Sequence, residues 1–289
     1  MTPKRVLVTG AAGQLGSVIV RAFSEAQVVS HTRSTLDITD GVAVARAVAE
    51  AAPDVIVNCA AYNDVDGAET APLPALAVNA FAVRSLARAA AAAGATLVHY
   101  STDFVFDGTA NEPYDEGVPP SPRSTYAASK LLGEWFALEA PRAFVLRVES
   151  LFGTPRGWIG RRGTLDALVA AIEEGREVRV FTDRVVSPTY TPDVAAATRH
   201  LIAADAVPGL YHCVNAGQGS WADVAREAAA ILGITPRLVP MTMDQAALRA
   251  SRPRFCALSP ARLAAAGFPM PSWNDALRRW LAARRGPGA

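Results

Sequence analysis

The chain is almost without lysine: of its 28 lysine and arginine residues, only Lys4 and Lys130 are lysine. Arginine is a permanently charged fork, whereas lysine is a compact and tunable ammonium, so a lysine kept among so many arginines points to a chemical reason. Excess charge is also lacking. The basic residues face 27 acidic ones, for a formal net charge of +1, which argues against nucleic acid or an acidic membrane as the main partner. Cysteine is scarce, and Cys59, Cys213 and Cys256 lie far apart in apolar surroundings. That pattern fits free buried thiols in a reducing cytoplasm rather than a disulfide framework. His31, His99, His200 and His212 show no paired-ligand spacing, so no metal is assigned. No apolar run approaches the ~20 residues of a membrane span, and a first strand beginning by Arg5 is read as leaving no room for a signal peptide. A cytoplasmic protein with no membrane partner is expected.

What is present is a 51% hydrophobic chain of 289 residues, enough for one large α/β domain or a nucleotide domain with a smaller companion. Its organising stretch is RVLVTGAAGQLG, from Arg5 to Gly16. A short apolar run stops at glycine, passes through small residues and opens a helical pattern, the beginning of a dinucleotide-binding βαβ unit. Gly10 permits the tight turn, Gly13 admits a pyrophosphate close to the backbone, and Gly16 lets the helix sit near the sheet. The helix N-terminus then presents unpaired N–H groups to phosphates. The spacing is Gly-x-x-Gly-x-x-Gly rather than Gly-x-Gly-x-x-Gly, and the alternative is an ordinary strand-to-helix turn. The end of the next strand, about 20 residues on, is where an acidic residue would read the ribose of NAD. Here it reads Ser30-His31-Thr32-Arg33. Without a carboxylate, and with Arg33 able to meet a 2′-phosphate, NADP(H) is expected over NAD(H), unless Arg33 is a solvated loop charge.

Apolar strands and Ala/Leu/Val-rich helices alternate further along. Thr39-Asp40 is expected to cap a helix through Ala51. The strand at Val55 leads to small residues at Cys59, Ala60 and Ala61, where a flat cofactor can lie against the sheet or a helix can pack closely. An alanine-rich helix from about Pro74 to Ala93 carries Asn79, either bonded to a neighbouring backbone to hold the cofactor loop or facing water. The strand Thr96–Tyr100 ends in Ser101-Thr102-Asp103, with hydroxyls at the carboxyl end where open parallel sheets bind ligands.

Tyr126 and Lys130 stand i,i+4 on one helix face. A free phenol with a pKa of about 10 is a poor proton donor-acceptor near neutrality, and a neighbouring ammonium is expected to lower that value. Tyr126 would then protonate a carbonyl oxygen as hydride reaches its carbon, Lys130 would hold the cofactor ribose, and Thr102 would donate to the developing alkoxide. Alone, Tyr-x-x-x-Lys is common by chance; with the glycine turn, the strand-end hydroxyls and the lysine scarcity it reads as chemistry.

Together these blocks resemble the extended short-chain dehydrogenase/reductases, and among them the dTDP-4-dehydrorhamnose reductase family. The resemblance spans almost the whole chain and is carried by TGAAGQLG (Thr9 to Gly16), LDITD (Leu36 to Asp40), PDVIVNCAAY (Pro53 to Tyr62), VDGAE (Val65 to Glu69), HYSTDFVFDG (His99 to Gly108) and YAASK (Tyr126 to Lys130). It implies a Rossmann-type doubly wound parallel sheet with a smaller mixed α/β C-terminal substrate domain. It implies Tyr126 as acid, Lys130 as its partner and Thr102 as second carbonyl donor. Gly13, Gln14 and Leu15 would cover the pyrophosphate, Asp37 and Ile38 would lie at the adenine, and Ala61, Tyr62 and Tyr100 would flank the cofactor channel. The implied reaction is NAD(P)H-dependent reduction of the 4-keto group of a nucleotide-linked deoxysugar. Phe104 follows Thr102-Asp103 where related dehydratases carry a second carboxylate, which favours reduction over dehydration.

Two departures concern the sugar. The family's Thr-Ser-Trp after the strand ending at Arg147 reads Val148-Glu149-Ser150 here, losing an aromatic wall and gaining a carboxylate. Its Gly-x-Pro-Thr turn reads Val186-Ser187-Pro188-Thr189, and a β-branched valine resists the positive φ that glycine permits. Asp103, Ser187, Thr189 and Arg252 are the expected substrate contacts, Arg252 as a fork for the nucleotide diphosphate. A loop holding Arg156, Trp158, Arg161 and Arg162 is either a lid or solvated chain. Residues 1–150 with about 178–204 are expected to form the dinucleotide domain, and about 151–177 with 205–289 the substrate domain; a homodimer is compatible. Two other activities stay open: a cofactor-binding regulatory subunit without turnover, and a sugar-nucleotide epimerase.

Overall fold

A computed structural model describes residues 3–153 and 163–285. Six parallel strands form its central sheet in the order Gly209–His212, Ala143–Val148, Thr96–Thr102, Val55–Asn58, Arg5–Thr9, Gln27–His31. Chain direction across the sheet reverses around Arg5–Thr9, which lies between the second and third strands. The crevice outside the strand carboxyl ends at such a switch point is where open α/β sheets bind ligands. Central strands such as Val55–Asn58 and Thr96–Thr102 are buried along their whole length, because helices cover both faces. On one face Val18, Ile19, Val194 and Leu201 bring the helices Gln14–Ala22 and Thr191–Ala203 onto the sheet. On the other, Val44, Val48, Val83 and Leu86 do the same for Gly41–Ala51 and Ala82–Ala93.

Local signals set the helix starts, at Asp40 as expected. Asp40 accepts from the N–H groups of Val42 and Ala43, both at 3.0 Å, and Ser124 caps Thr125–Ala137 through Ala127 N–H at 3.2 Å. Ser220 and Asp223 form a reciprocal capping box on Trp221–Leu232. Such caps satisfy amide groups that a helix start leaves unpaired. The run Pro72–Ala93 is longer and more apolar than the sequence reading allowed: its 22 helical residues reach a membrane-spanning length and composition. Half of its most apolar window is buried inside the protein, as in a core helix. The run is also interrupted, with a π-helical turn at Ala77–Phe81 between the α-helical segments Pro72–Leu76 and Ala82–Ala93.

The smaller unit packs Leu165, Val169, Trp221, Val224, Leu277 and Trp280 into its own core. Two segments sort differently from the expected domain boundaries. Glu177–Phe181 pairs in parallel with Arg237–Met241 in the smaller unit, where Val178 and Val180 join that core. Gly209–His212 pairs with Ala143–Val148 and completes the central sheet. Both are short, and pairing partner rather than pattern decides which sheet such a strand enters. Trp221 is buried in that core.

Candidate active site

Gly10 ends the first strand at φ +66°, and a Cβ there would lie 2.6 Å from the Ala60 backbone nitrogen. A Cβ on Gly16 would lie 2.2 Å from the Gly10 carbonyl oxygen. Only glycine admits this turn and this helix-to-turn approach. The helix Gln14–Ala22 that follows has no side-chain cap, and Gln14 Nε2 is buried without a hydrogen-bond partner. Free amides and an orphaned donor at a helix N-terminus fit a pyrophosphate.

Two adjoining cavities continue from this turn. One of about 510 Å³ is lined by Gly10, Gly13, Arg33, Asp37, Ile38, Ala60, Ala61 and Tyr62 among others, which gathers the residues expected at the adenosine end. Arg33 is exposed in a turn at its mouth, open to a 2′-phosphate. The Asp37 carboxyl lies below its usual range because Thr39 donates to it from both hydroxyl and backbone. The second cavity, of about 450 Å³, is lined by Gln14, Leu15, Tyr100, Thr102, Asp103, Tyr126, Lys130, Glu149, Arg184 and Arg252 among others. Gly13, Ala60 and Ala61 line both, so a long ligand can run from one into the other.

A polar network fixes the floor between them. Asn58 accepts from the Thr9 hydroxyl at 2.7 Å and the Ala60 N–H at 3.2 Å. Its amide nitrogen meets His99 Nδ1 at 3.1 Å; donation in that direction places the imidazole proton on Nε2. Asn79 sits in the π-helical turn and is buried. Its side chain accepts from Tyr62 N–H at 2.9 Å, donates to the Tyr62 carbonyl at 3.0 Å and reaches the Ser129 hydroxyl at 3.0 Å. Of its two readings, holding the cofactor loop is the one observed. π turns recur at functional sites because they re-aim a side chain.

The helix Thr125–Ala137 buries Tyr126 and Lys130 on one face. Their electrostatics differ from expectation. Burial, and then the Asp103 charge, push the Tyr126 phenol above its ordinary range, while the Thr102 hydroxyl acts in the opposite direction. The Lys130 ammonium donates to the Tyr100 carbonyl at 2.5 Å. Burial lowers Lys130 to about 8, opposed by the Glu134 charge. The phenol is thus held protonated, the form an acid needs in a reduction. Behind it, Arg147 donates to both oxygens of Glu134 at 2.8 Å, and the Ser101 hydroxyl adds a 2.5 Å bond to the same carboxylate. Tyr100 enters the site through its backbone, since its phenol bonds the Thr198 hydroxyl at 2.8 Å in the core.

At the sugar end, Thr102 donates to Asp103 Oδ1 at 3.0 Å and accepts from Phe104 N–H at 3.2 Å. Glu149 Oε2 accepts from Ser187 N–H at 2.8 Å. Burial raises Asp103 to about 6, and raises Glu149 well above the usual carboxylate range with Asp103 adding repulsion. Asp103, Glu149 and Cys256 hold one donor atom each within 4.8 Å of one another. That spacing suits a cation, but the Arg184 guanidinium already stands there: its Nη2 is 4.0 Å from Cys256 Sγ, and it lies over the Phe104 ring at 5.4 Å.

Three expected substrate contacts need correction or qualification. Ser187 and Thr189 are fully buried and do not line the cavity; their hydroxyls donate to the Gly217 carbonyl and the Ser187 carbonyl, both at 2.9 Å. The turn they flank needs no positive φ, because Val186 lies in a short strand paired with Gly219–Ser220. Arg252 does line the cavity, but its fork is engaged by Asp66 at 2.7 and 3.1 Å, which draws Asp66 down to about 2. Arg156, Trp158, Arg161 and Arg162 lie outside the described residues. Arg184 was not anticipated: nothing in its local sequence distinguishes it from other loop arginines.

Comparison with known proteins agrees with this geometry. The model of a family described as "RmlD substrate binding domain" matches residues 4–285. The chain is 38% identical over 283 residues to a dTDP-4-dehydrorhamnose reductase of Streptomyces griseus, covering 94% of this chain and 91% of that one. It is 38% identical over 290 residues to one of Mycolicibacterium smegmatis, covering 97% and 86%. A crystal structure of the dTDP-4-dehydrorhamnose reductase of Bacillus anthracis strain Ames in complex with NADP superimposes with a TM-score of 0.91 at 33% identity, covering 97% of this chain and 99% of the other. The chain belongs to the dTDP-4-dehydrorhamnose reductase family of extended short-chain dehydrogenase/reductases.

Proposed function

We propose that the protein is an NADPH-dependent reductase of the 4-keto group of a nucleotide-linked deoxysugar. The observation that carries it is the convergence of a protonated phenol at Tyr126, the Thr102 hydroxyl and the buried Lys130 on one cavity at the strand carboxyl ends. NADPH, when bound, supplies the hydride. Gln14 and the free helix amides would hold its pyrophosphate, Arg33 its 2′-phosphate and Lys130 its ribose. Tyr126 gives its phenolic proton to the ketone oxygen, and the Thr102 hydroxyl, which at rest donates to Asp103 Oδ1, would turn its one proton to that oxygen as it gains charge. Burial of both side chains excludes water and strengthens each interaction. Arg252, at the rim, would exchange Asp66 for the nucleotide diphosphate.

A homodimer in the cytoplasm is part of the same proposal. The exposed Phe81, Trp135 and Leu138 on the two helical segments flanking the site support it, as do the free thiols. Purified protein with NADPH and a panel of 4-keto sugar nucleotides tests the activity through loss of nicotinamide absorbance. Tight NADPH binding with no oxidation across the panel would overturn it in favour of a regulatory subunit.

A further inference from the structure

We infer that Glu134 is the positioning residue of Lys130: a buried counter-charge one helical turn away that keeps the ammonium charged while leaving its donors to the cofactor. This deepens the reading of Lys130 as the group that holds the cofactor ribose, and rests on it. Lys130 and Glu134 stand i,i+4 on one helix and are each 3% exposed, so their side chains are neighbours. Among the described residues no ion pair joins them, and each is fastened elsewhere. Glu134 Oε1 accepts from the Ser101 hydroxyl at 2.5 Å and from Arg147 Nε at 2.8 Å, and Oε2 accepts from Arg147 Nη2 at 2.8 Å. Lys130 donates to the carbonyl of Tyr100, the neighbour of Ser101 on the same strand. Arg147 is itself fixed, with Nη1 3.3 Å from His212 Nε2 and its guanidinium over the Phe106 ring at 4.9 Å. The carboxylate is therefore held off the ammonium. An ammonium has three donors, and two of them stay available to ribose hydroxyls.

A counter-charge is needed because burial drives a lysine to give up its proton. The groups packed around Lys130 are otherwise engaged. Desolvation pushes the Cys59 thiol upward and holds the His99 imidazole uncharged, and it raises the Tyr100 and Tyr126 phenols. The Asp103 charge acts on the Tyr126 phenol. From the short helix packed on the start of this one, Glu69 accepts from Thr125 N–H at 2.7 Å and Asp66 holds the Arg252 fork. The Glu134 charge is what opposes desolvation of the ammonium. Stability alone does not ask for it. A buried ion pair such as Glu134–Arg147 gains little over apolar side chains of similar volume, but those would leave the ammonium without its carboxylate.

The test follows the NADPH dissociation constant by fluorescence from pH 6 to 9.5, beside denaturant midpoints for the same proteins. Wild type should lose affinity as pH rises through about 8. Glu134→Gln keeps the shape of the side chain and removes its charge. Unit charges about 6 Å apart, at an effective dielectric constant of about 20, shift a pKa by about two units. The pH midpoint should therefore fall by about one unit or more in this variant. Glu134→Asp keeps the charge but shortens the reach to Arg147, so it should lower the denaturant midpoint and leave the pH midpoint near that of wild type. Glu134→Leu with Arg147→Met should do the reverse, restoring stability while the pH midpoint still falls, by less than in Glu134→Gln because a cation leaves as well. This double variant decides if Glu134→Gln fails to fold. A purely structural role would move the denaturant midpoints alone. Unchanged pH midpoints in Glu134→Gln and the double variant would overturn the assignment and leave Lys130 at the ribose. Wild-type affinity that does not fall between pH 7 and 9 would overturn both.

Discussion

Lys130 offers a quantitative test of the site because burial sets its stability and its charge against each other. The side chain is 3% exposed and its pKa falls from 10.5 to about 8. Below pH 8 the folded and unfolded chains both hold the proton. Between 8 and 10.5 the unfolded chain holds more of it, so stability rises with pH across that window. At 1.36 kcal/mol per pKa unit the gain is about 3 kcal/mol. Lys130→Met keeps the length of the side chain and removes the titration. Chemical denaturation of both proteins from pH 7 to 10.5 should therefore show the wild type gaining about 3 kcal/mol on the variant. Other titrating groups cancel in that difference, and the lost bond to the Tyr100 carbonyl contributes a constant. NADPH affinity should run the other way, declining as pH rises through about 8 and the ammonium is lost. A stability gap that stays flat with pH, or shrinks, would refute the buried-ammonium account.

Tyr126→Phe should lower kcat by about 10²–10⁴-fold with NADPH affinity nearly unchanged, since the acid is removed and the phosphate site is not; steady-state kinetics and a cofactor titration check both. Arg33→Ala should weaken NADPH more than NADH, measured as the ratio of their dissociation constants, and equal effects would leave Arg33 a bystander. Arg147→Met should destabilise the fold by about 3–5 kcal/mol by stranding the buried Glu134 carboxylate, whereas Arg147→Met with Glu134→Leu should recover most of the loss. Denaturant midpoints decide between them.

The βαβ opening, the helix cap at Asp40 and the Tyr126–Lys130 pair were legible because each is written within a few consecutive residues. The site's electrostatics were not. Adjacency suggested that Lys130 would lower the Tyr126 phenol, but desolvation acts on the phenol more strongly and the ammonium turns to a strand carbonyl. The sugar wall was half visible. Glu149 stood out as a departure from the family pattern, while Arg184 arrives from a segment far along the chain and carried no local signal. Ser187 and Thr189 show the opposite failure, as hydroxyls beside a turn look available until backbone carbonyls, one near and one remote in sequence, absorb them. For the strands Glu177–Phe181 and Gly209–His212, the choice of sheet depends on partners remote in sequence.

The π-helical turn at Ala77–Phe81 makes the cofactor loop sensitive to chain length rather than to chemistry. A π turn amounts to one surplus residue in an α-helix, and residues along an α-helix step by about 100°. Excising a single alanine from it would restore a regular helix and swing the Asn79 amide about a quarter-turn off Tyr62. Every residue identity at the crevice would survive, yet its loop would be unlatched. Homologues one residue shorter at this point must therefore secure the same loop by another device.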